Sequence, residues 1–339
     1  MQFAQGVDSD RFSNEKVKHF TSLGRTEMTL HRNFIASVII LVLLGIGYAI
    51  AGQTKPVAPI PANAIVWEQV DIASRDTFRG PTSEGIAPAL EKVKFMGRQH
   101  GGNNLKYRVE DANGREWVVK IADESQAEVA ANRLLWAIGY RTEIDQIVPR
   151  INIDGIGNYK NARFEARAKE IERGDRWSWS NNPLAGTKEF DGLRLMMAFV
   201  NNWDLKDDNN AIVTENGKTY LLVSDMGSSF GKLANSNTSR SGRSVNKAEH
   251  FAEANFIKAV NNGVLELDYR GGGADHLKGI TVENARWLVG LLTQLSDKQI
   301  SDAFRAANHS NEDVNLYTQA VKDRIAALSK AVEANVASN

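Results

Sequence analysis

The sequence contains no cysteine among its 339 residues, and this absence excludes several kinds of site. Such a chain has no disulfide framework, no zinc site built on thiolates and no thiol nucleophile. Any metal must be bound by Asp, Glu, Asn or His side chains, and this ligand set favours hard cations.

The sequence also lacks an excess of either charge, because 41 Lys and Arg residues balance 41 Asp and Glu residues. Proteins that bind long nucleic acids usually carry a marked basic excess, so the balance argues against a nucleic-acid partner. Proline is scarce, and five of the seven prolines lie between Gly52 and Pro88. That stretch has no sustained periodicity, and residues 52–89 are therefore predicted to be a spacer.

Long hydrophobic runs are absent except for residues 34–51, which lie inside an uncharged stretch from Asn33 to Thr54. The run is near the lower length limit for a membrane-spanning helix. It is either a signal anchor with a cytoplasmic tail, which makes residues 1–51 one unit, or the apolar part of a cleavable signal peptide starting at Met28. Both alternatives predict a membrane-anchored or secreted protein whose folded domain lies on the non-cytoplasmic side, in a periplasm or outside. A buried core helix is the weaker alternative.

The pattern after the spacer predicts a small antiparallel sheet with one helix. A polar loop from Gly97 to Asn104 contains Gly101 and Gly102 and can approach a ligand closely. Strands are expected at residues 92–96, 105–110, 116–122, 146–153 and 162–171, with an Asn-Gly turn between the second and third.

One lysine, Lys120, lies in the otherwise apolar third strand, and a helix follows it directly. Ser125 and Glu128 have the spacing of a capping box, and Gly139 is expected to end the helix. Glu128 therefore has two possible roles, as the capping partner of Ser125 or as the ion-pair partner of Lys120.

The most informative segment is an apolar helix that ends in the acidic loop Asp204-Leu-Lys-Asp-Asp-Asn209. A hairpin follows, with the turn Asn216-Gly217, and its second strand ends at Asp225-Met-Gly227. An Asp and an Asn five residues apart on a loop, with a second Asp at a strand end, can surround a magnesium ion and a nucleophilic hydroxyl over a nucleotide's phosphates.

These residues resemble the catalytic motifs of protein kinases. The loop from Asp204 to Asn209 is similar to the kinase catalytic loop Asp-x-x-x-x-Asn, and Asp225-Met-Gly227 is similar to Asp-Phe-Gly. The resemblance covers roughly residues 90–231. It implies an α+β, two-lobed kinase-like fold: an N-lobe at 90–172 with a small antiparallel sheet and one helix, and a mostly helical C-lobe at 173–339.

The resemblance also implies cofactors, ATP and Mg²⁺, and a role for each site residue. Asp204 would be the catalytic base that orients an acceptor hydroxyl, and Asn209 and Asp225 would bind the metal. Lys120 would bind the nucleotide's phosphates and pair with Glu128. The loop that contains Gly97, Gly101 and Gly102 would lie over those phosphates.

Several departures separate the chain from eukaryotic-type protein kinases. Trp203 replaces the Arg of His-Arg-Asp, no Ala-Pro-Glu segment follows Asp225, and the glycines do not fit Gly-x-Gly-x-x-Gly. Glu128 lies only eight residues after Lys120. The resemblance is therefore to the wider kinase-like fold of HipA-type, lipid and secretory-pathway kinases.

The chain is expected to be an ATP- and Mg²⁺-dependent phosphotransferase whose acceptor is a protein, lipid or small-molecule hydroxyl. The alternative is an exported pseudokinase that binds a nucleotide, glycan or protein partner without catalysis. Residues 232–247, rich in Ser and Asn, are either a solvated loop or part of an acceptor site. Further helices are predicted at 282–295, 297–307 and 312–334.

Overall fold

Five antiparallel strands in the order β1-β2-β3-β5-β4 form the N-lobe sheet. The computed structural model describes residues 57–100, 104–233 and 242–334, all of which belong to one compact unit. The strands are β1 (Lys94–Arg98), β2 (Leu105–Glu110), β3 (Glu116–Ile121), β4 (Asp145–Ile153) and β5 (Gly157–Ala166). The predicted strands are present, with bounds that differ by a few residues.

Strand β3 is covered on both faces, because one helix packs behind the sheet. Trp117 and Val119 belong to the apolar cluster on the outer face. The alternation of side chains along a strand turns Val118 and Lys120 to the opposite face, toward helix α1 (Ser125–Ala137). Burial on both faces explains why the strand reads as one apolar run interrupted by a single lysine.

Helix α1 begins without the predicted capping box. The residue before it, Glu124, makes no side-chain cap hydrogen bond, and the Ser125 hydroxyl donates instead to the Lys120 carbonyl oxygen at 3.3 Å. The carboxylate of Glu128 pairs with Lys120, so the capping role is wrong and the ion-pair role is the one observed. Gly139 follows the helix with φ +101°, as expected of a glycine at a helix end.

Residues 57–89 pack against the folded domain and do not form the separate spacer that the sequence predicted. The Trp67 indole N–H donates to the Ile138 carbonyl at 2.6 Å, and Ile72 is buried. The Thr77 hydroxyl donates at 2.7 Å to the carbonyl of Gln299, which belongs to the C-lobe. Apolar side chains between the prolines supply this packing, which their irregular spacing did not predict.

The C-lobe consists of helices and two small antiparallel sheets. Its helices are α2 (Lys188–Phe199), α3 (Ala248–Glu253), α4 (Val282–Leu292), α5 (Asp297–Ala306) and α6 (Asn311–Ala334). Its strands are β6 (Ile171–Arg173), β7 (Asn210–Glu215), β8 (Lys218–Val223), β9 (Ile257–Asn261) and β10 (Val264–Leu267). Helix α5 begins with a capping box formed by Ser296 and Gln299. The α+β architecture with two lobes is confirmed.

Stacked aromatic side chains join the C-lobe helices. The ring of Phe230 lies 5.1 Å from those of Phe251 and Phe304, and the ring of Tyr317 on α6 stacks on Phe304 at 4.6 Å. Such contacts stabilise a core beyond the area that they bury. Phe230 comes five residues after Asp225, so this core anchors the segment that leaves the candidate site.

Several predictions fall outside the described residues. They are the membrane segment at 34–51, the glycines Gly101 and Gly102, and the middle of the Ser- and Asn-rich segment, residues 234–241. Among the described helices, none has the length and apolar character needed to cross a membrane.

Candidate functional site

Lys120 is the buried centre of the site, with 2% of its side chain exposed. Its ammonium group lies 2.9 Å from Glu128 Oε2 and 3.6 Å from Asp225 Oδ1, and it also pairs with Glu124 Oε1. Burial acts to lower the pKa of Lys120, but the three carboxylates outweigh burial and raise the pKa above the usual lysine value. The lysine therefore stays charged in the cleft at neutral pH.

The Glu128 carboxylate also contacts a second cation, Arg163 on β5. Arg163 Nη2 lies 3.2 Å from Glu128 Oε1, on the side opposite Lys120, and both side chains are almost fully buried. Burial raises the pKa of Glu128 to about 7, although Arg163 and Lys120 both act to lower it. Arg163 therefore helps to keep Glu128 ionised and available to Lys120.

Asp225 follows β8 and brings a carboxylate from the C-lobe to the N-lobe lysine. Its side chain is 40% exposed, and its Oδ1 accepts a long hydrogen bond from the Gly227 N–H at 3.4 Å. Burial acts to raise the pKa of Asp225, but Lys120 and the more distant Lys106 and Arg163 outweigh burial and lower it. The carboxylate is ionised and open to the cleft.

Asp204 and Asn209 are joined within one loop that ends in a short 3-10 helix. The Asn209 amide nitrogen donates to the Asp204 carbonyl at 2.8 Å and to Asp204 Oδ2 at 3.2 Å. The Asn209 carbonyl accepts from the Ser224 N–H at 2.7 Å, so the loop is tied to the residue before Asp225. The Lys206 ammonium lies 2.7 Å from Asp204 Oδ2, and the Asp204 side chain is 29% exposed.

A loop of three consecutive glycines supports the backbone around Asp204. The Gly272 N–H donates to the Trp203 carbonyl at 2.7 Å, and the Tyr269 hydroxyl donates to the carbonyls of Asn202 and Gly272. A Cβ on Gly271 would lie 2.7 Å from the Trp203 Cα. Only glycine permits this close approach of the two backbones.

A buried arginine on α6 fixes the start of the same loop. Arg324 donates to the carbonyls of Phe199 and Ala254 and to Asn201 Oδ1, at 3.2, 2.9 and 3.3 Å. The Asn201 amide donates in turn to the Gly231 carbonyl at 2.9 Å. Burial lowers the pKa of Arg324 to about 9, and the carbonyl oxygens satisfy its donors in place of a carboxylate.

The described residues of the glycine-rich segment are 97–100 and Asn104. Gly97 is in β1, at an irregularity in the pairing with β2, and nothing lies within 4 Å of the position of a Cβ there. At the other end of the segment, the Asn104 amide donates to Glu124 Oε1 at 2.6 Å. The segment thus contacts the carboxylate that pairs with Lys120.

A cavity of about 540 Å³ lies beside Trp203, next to Asp204 in the chain. The guanidinium of Arg243 lies 5.0 Å from the centre of the Trp203 ring. The Asn246 amide donates to the Asp123 carbonyl at 3.1 Å and to Gln126 Oε1 at 3.3 Å. Residues 242–247 therefore connect the acidic loop to the N-terminus of α1.

The donor set of Asp225 and Asn209 suits a magnesium ion bound together with phosphate. Asp225 offers an ionised carboxylate, and both hydrogen bonds of the Asn209 side chain use its nitrogen, which leaves Oδ1 as the ligand atom. The described residues contain no cluster of three or more acidic or His side chains able to hold a metal alone. A Mg²⁺ ion here would need phosphate oxygens and water to complete its octahedron, as is usual at nucleotide sites.

The structure thus brings together Lys120, Glu128 and Asp225 in one cluster and Asp204 with Asn209 in another, joined through Ser224. Sequence reasoning missed two residues of the first cluster, Glu124 and Arg163. A signal existed for Arg163, because the strand Ala162-Arg-Phe-Glu165 alternates charged with apolar residues beside a buried sheet. Glu124 gave no signal beyond its position four residues after Lys120.

Three solved kinase structures are similar to this chain. The Helicobacter pylori proinflammatory kinase CtkA has a TM-score of 0.47 and 10% identity, over 72% of this chain and 96% of that chain. The Golgi casein kinase has a TM-score of 0.39 and 9% identity, over 73% of each chain. The Rio2 kinase–ADP/Mg²⁺–phosphoaspartate complex from Chaetomium thermophilum has a TM-score of 0.31 and 11% identity, over 69% of this chain and 71% of that chain.

No protein-family model matches the sequence, and no curated protein matches it. All three similar structures are kinases, and the described fold of this chain is α+β with two lobes. Its own features are a five-stranded sheet with one helix, a helical lobe, and a cleft that Lys120 and Asp225 enter from opposite sides.

Proposed function

We propose that this kinase-like chain is an ATP- and Mg²⁺-dependent phosphotransferase that acts on a hydroxyl acceptor. The observation that carries the proposal is the meeting of Lys120 and Asp225 across the cleft, with Asn209 tied to the residue before Asp225. A buried ammonium group and an exposed carboxylate are what a nucleotide's phosphates and their metal require. Asp225 and Asn209 would hold Mg²⁺, which would neutralise charge on the phosphates.

Each remaining residue of the site has a task in this proposal. Lys120 binds and orients phosphate oxygens, and Glu128 and Arg163 hold its ammonium group in place. Asp204 accepts a hydrogen bond from the acceptor hydroxyl and takes its proton as the phosphoryl group is transferred. The Lys206 ammonium group pairs with the Asp204 carboxylate and would add a positive charge near the transferred phosphoryl group.

The acceptor would approach from the cavity beside Trp203, since Trp203, which lines that cavity, directly precedes Asp204 in the chain. Its lining includes the cationic side chains of Arg243 and Lys247. The acceptor's class, whether protein, lipid or small molecule, is an outcome of the experiment.

The experiment is transfer of label from γ-labelled ATP in the presence of Mg²⁺, with protein, lipid and small-molecule hydroxyls offered in parallel. We expect a labelled acceptor in one of these classes or labelled protein from autophosphorylation. Binding of ATP without label transfer to any class would favour the pseudokinase, a fold that binds a nucleotide, glycan or partner without chemistry.

We further propose that the domain lies on the non-cytoplasmic side of a membrane, as a membrane-anchored or secreted protein. The uncharged apolar run at 34–51 and the basic residues before it support this orientation. Protease added outside intact cells should digest the domain. Full protection from that protease would contradict export.

A further inference from the structure

Glu124 places a third carboxylate on Lys120, on the open side of the cleft. Its Oε1 pairs with the Lys120 ammonium and also accepts the hydrogen bond from Asn104. The Glu124 side chain is 23% exposed, whereas only 2% of Glu128 is exposed. The two glutamates therefore contact the same ammonium group from the solvent side and from the interior.

The position of Glu124 is also the position from which phosphate would reach Lys120. A Cβ on Gly227 would lie 3.0 Å from Glu124 Cδ, so the carboxylate rests against the turn that follows Asp225. An ammonium group has three N–H donors, and three carboxylates surround that of Lys120. Of these three, Glu124 and Glu128 lie within hydrogen-bond distance, so a phosphate oxygen can take the solvent-facing side of Lys120 only if the carboxylate there leaves.

The three carboxylates differ in how firmly they are held. Glu128 is buried between Lys120 and Arg163, and removing it from them would leave charges unpaired in the interior. Asp225 is needed for the metal. Glu124 has, besides Lys120, a single neutral partner among the described residues, the Asn104 amide. Water can solvate Glu124 once it turns away.

We propose that Glu124 occupies the place of a nucleotide's phosphate on Lys120 and leaves when the nucleotide binds. This inference rests on the proposed function, because it presumes that a nucleotide binds in this cleft. A phosphate oxygen and the Glu124 carboxylate would meet on the same solvent-facing side of the Lys120 ammonium and repel each other there. The affinity of the site for Mg²⁺ and ATP is therefore set by the competition between Glu124 and phosphate for Lys120.

The test compares the Mg²⁺-ATP affinity of the full chain with that of Glu124→Gln, by calorimetric titration. Gln keeps the shape of the side chain but lacks the charge, so phosphate displaces it more easily. We expect the variant to bind Mg²⁺-ATP roughly tenfold more tightly, the size of effect that loss of one charged hydrogen bond produces. Glu283→Gln on α4 removes the same charge from an exposed helix and should leave the affinity unchanged.

Asn104→Ala provides a second variant that leaves Lys120 and its carboxylates intact. Loss of the Asn104 hydrogen bond frees Glu124 to turn away from Lys120. We expect the affinity for Mg²⁺-ATP to rise by about two- to fivefold, less than in Glu124→Gln. A variant that binds when the wild-type chain does not would also support the inference.

Unchanged or weaker binding by Glu124→Gln would overturn the inference. Weaker binding would mean that Glu124 contacts the metal or the nucleotide in the complex. If the wild-type chain binds Mg²⁺-ATP and the variant does not bind more tightly, only the role of Glu124 is wrong. If neither the wild-type chain nor the variant binds Mg²⁺-ATP, the proposed function is wrong as well as the role of Glu124.

Discussion

Lys120 Nζ and Asp225 Oδ1 lie 3.6 Å apart and join the two lobes at the centre of the cleft. Lys120 comes from a buried strand of the N-lobe sheet, and Asp225 follows the last strand of the C-lobe hairpin. Each lobe thus contributes one of the two charges that a magnesium-bound phosphate requires. The relative position of the lobes decides whether the site is assembled.

The Asp225 carboxylate should be required for metal-dependent nucleotide binding. We expect ATP to raise the melting temperature of the wild-type chain only when Mg²⁺ is present, and Asp225→Ala to abolish that rise. Thermal unfolding with ATP, with Mg²⁺ and with both provides the measurement. A rise of equal size in Asp225→Ala would place the metal elsewhere.

The Arg163 guanidinium should contribute far more to stability than an exposed arginine. It contacts the carboxylates of Glu128, Asp145 and Glu165 at 3.2, 2.8 and 2.9 Å, all of them buried. Arg163→Met removes the cation that these three buried carboxylates share and should lower the free energy of unfolding by about 3–5 kcal/mol.

The control is Arg108→Met, which removes a half-exposed arginine whose nearest carboxylate lies at 3.5 Å. Exposed pairs contribute about 0–1 kcal/mol, and chemical denaturation should show that small effect. Similar losses in the two variants would contradict the structural role of the buried cluster.

Two glycines should respond in opposite directions to alanine. Gly139 has φ +101°, and a Cβ there would lie 2.2 Å from the Glu68 carbonyl oxygen. Gly139→Ala should therefore lower the free energy of unfolding by about 1–3 kcal/mol. Gly290 lies exposed within α4 with nothing near a Cβ, and Gly290→Ala should raise it by up to about 1 kcal/mol. Denaturation midpoints that move in one direction for both would contradict this assignment.

Stability should fall in mild acid because of His309. Burial lowers its pKa to about 4, and its buried Nε2 has no hydrogen-bond partner within the described part of the chain. The unfolded state, with a histidine pKa of about 6.5, binds the proton more readily than the folded state does. The stability that the folded state owes to unprotonated His309 is therefore fully present above pH 6.5, and it is lost as the pH falls toward 4.

His309→Gln removes this titration. Between pH 6.5 and 4 the wild-type chain should lose about 3 kcal/mol more unfolding free energy than the variant, in proportion to the pKa shift. Denaturation curves at a series of pH values measure the difference. Parallel pH profiles for the two proteins would show that His309 does not titrate in this way.

Much of the fold was predictable because local patterns decide it. The Asn216-Gly217 turn predicted the β7–β8 hairpin, and its Asn has φ +50°, as the turn type requires. The same signal at Asn262-Gly263 marks the β9–β10 hairpin, which the sequence analysis did not identify. That hairpin follows a segment with no regular pattern, so the turn signal lacked a recognisable first strand.

The sequence predicted two alternative roles for Glu128 and could not decide between them, because one residue type suits both. A Glu three residues after Ser125 fits a capping box, and a Glu on the inner face of α1 fits an ion pair with Lys120. Only the packing of α1 on the sheet, with Arg163 behind it, decides between them. Contacts between residues far apart in sequence decided the outcome here, as they did for residues 57–89.

The measurement that tests the account most directly compares nucleotide binding and phosphoryl transfer in Asp204→Ala. We expect Mg²⁺-ATP to stabilise this variant as it does the wild-type chain, while transfer of the γ-phosphoryl group falls by about 10²- to 10⁴-fold. Asp208→Ala changes a half-exposed carboxylate of the same loop that pairs with Arg176, and it should retain transfer. Transfer at the wild-type rate by Asp204→Ala, or no transfer by the wild-type chain to any acceptor class, would contradict the account.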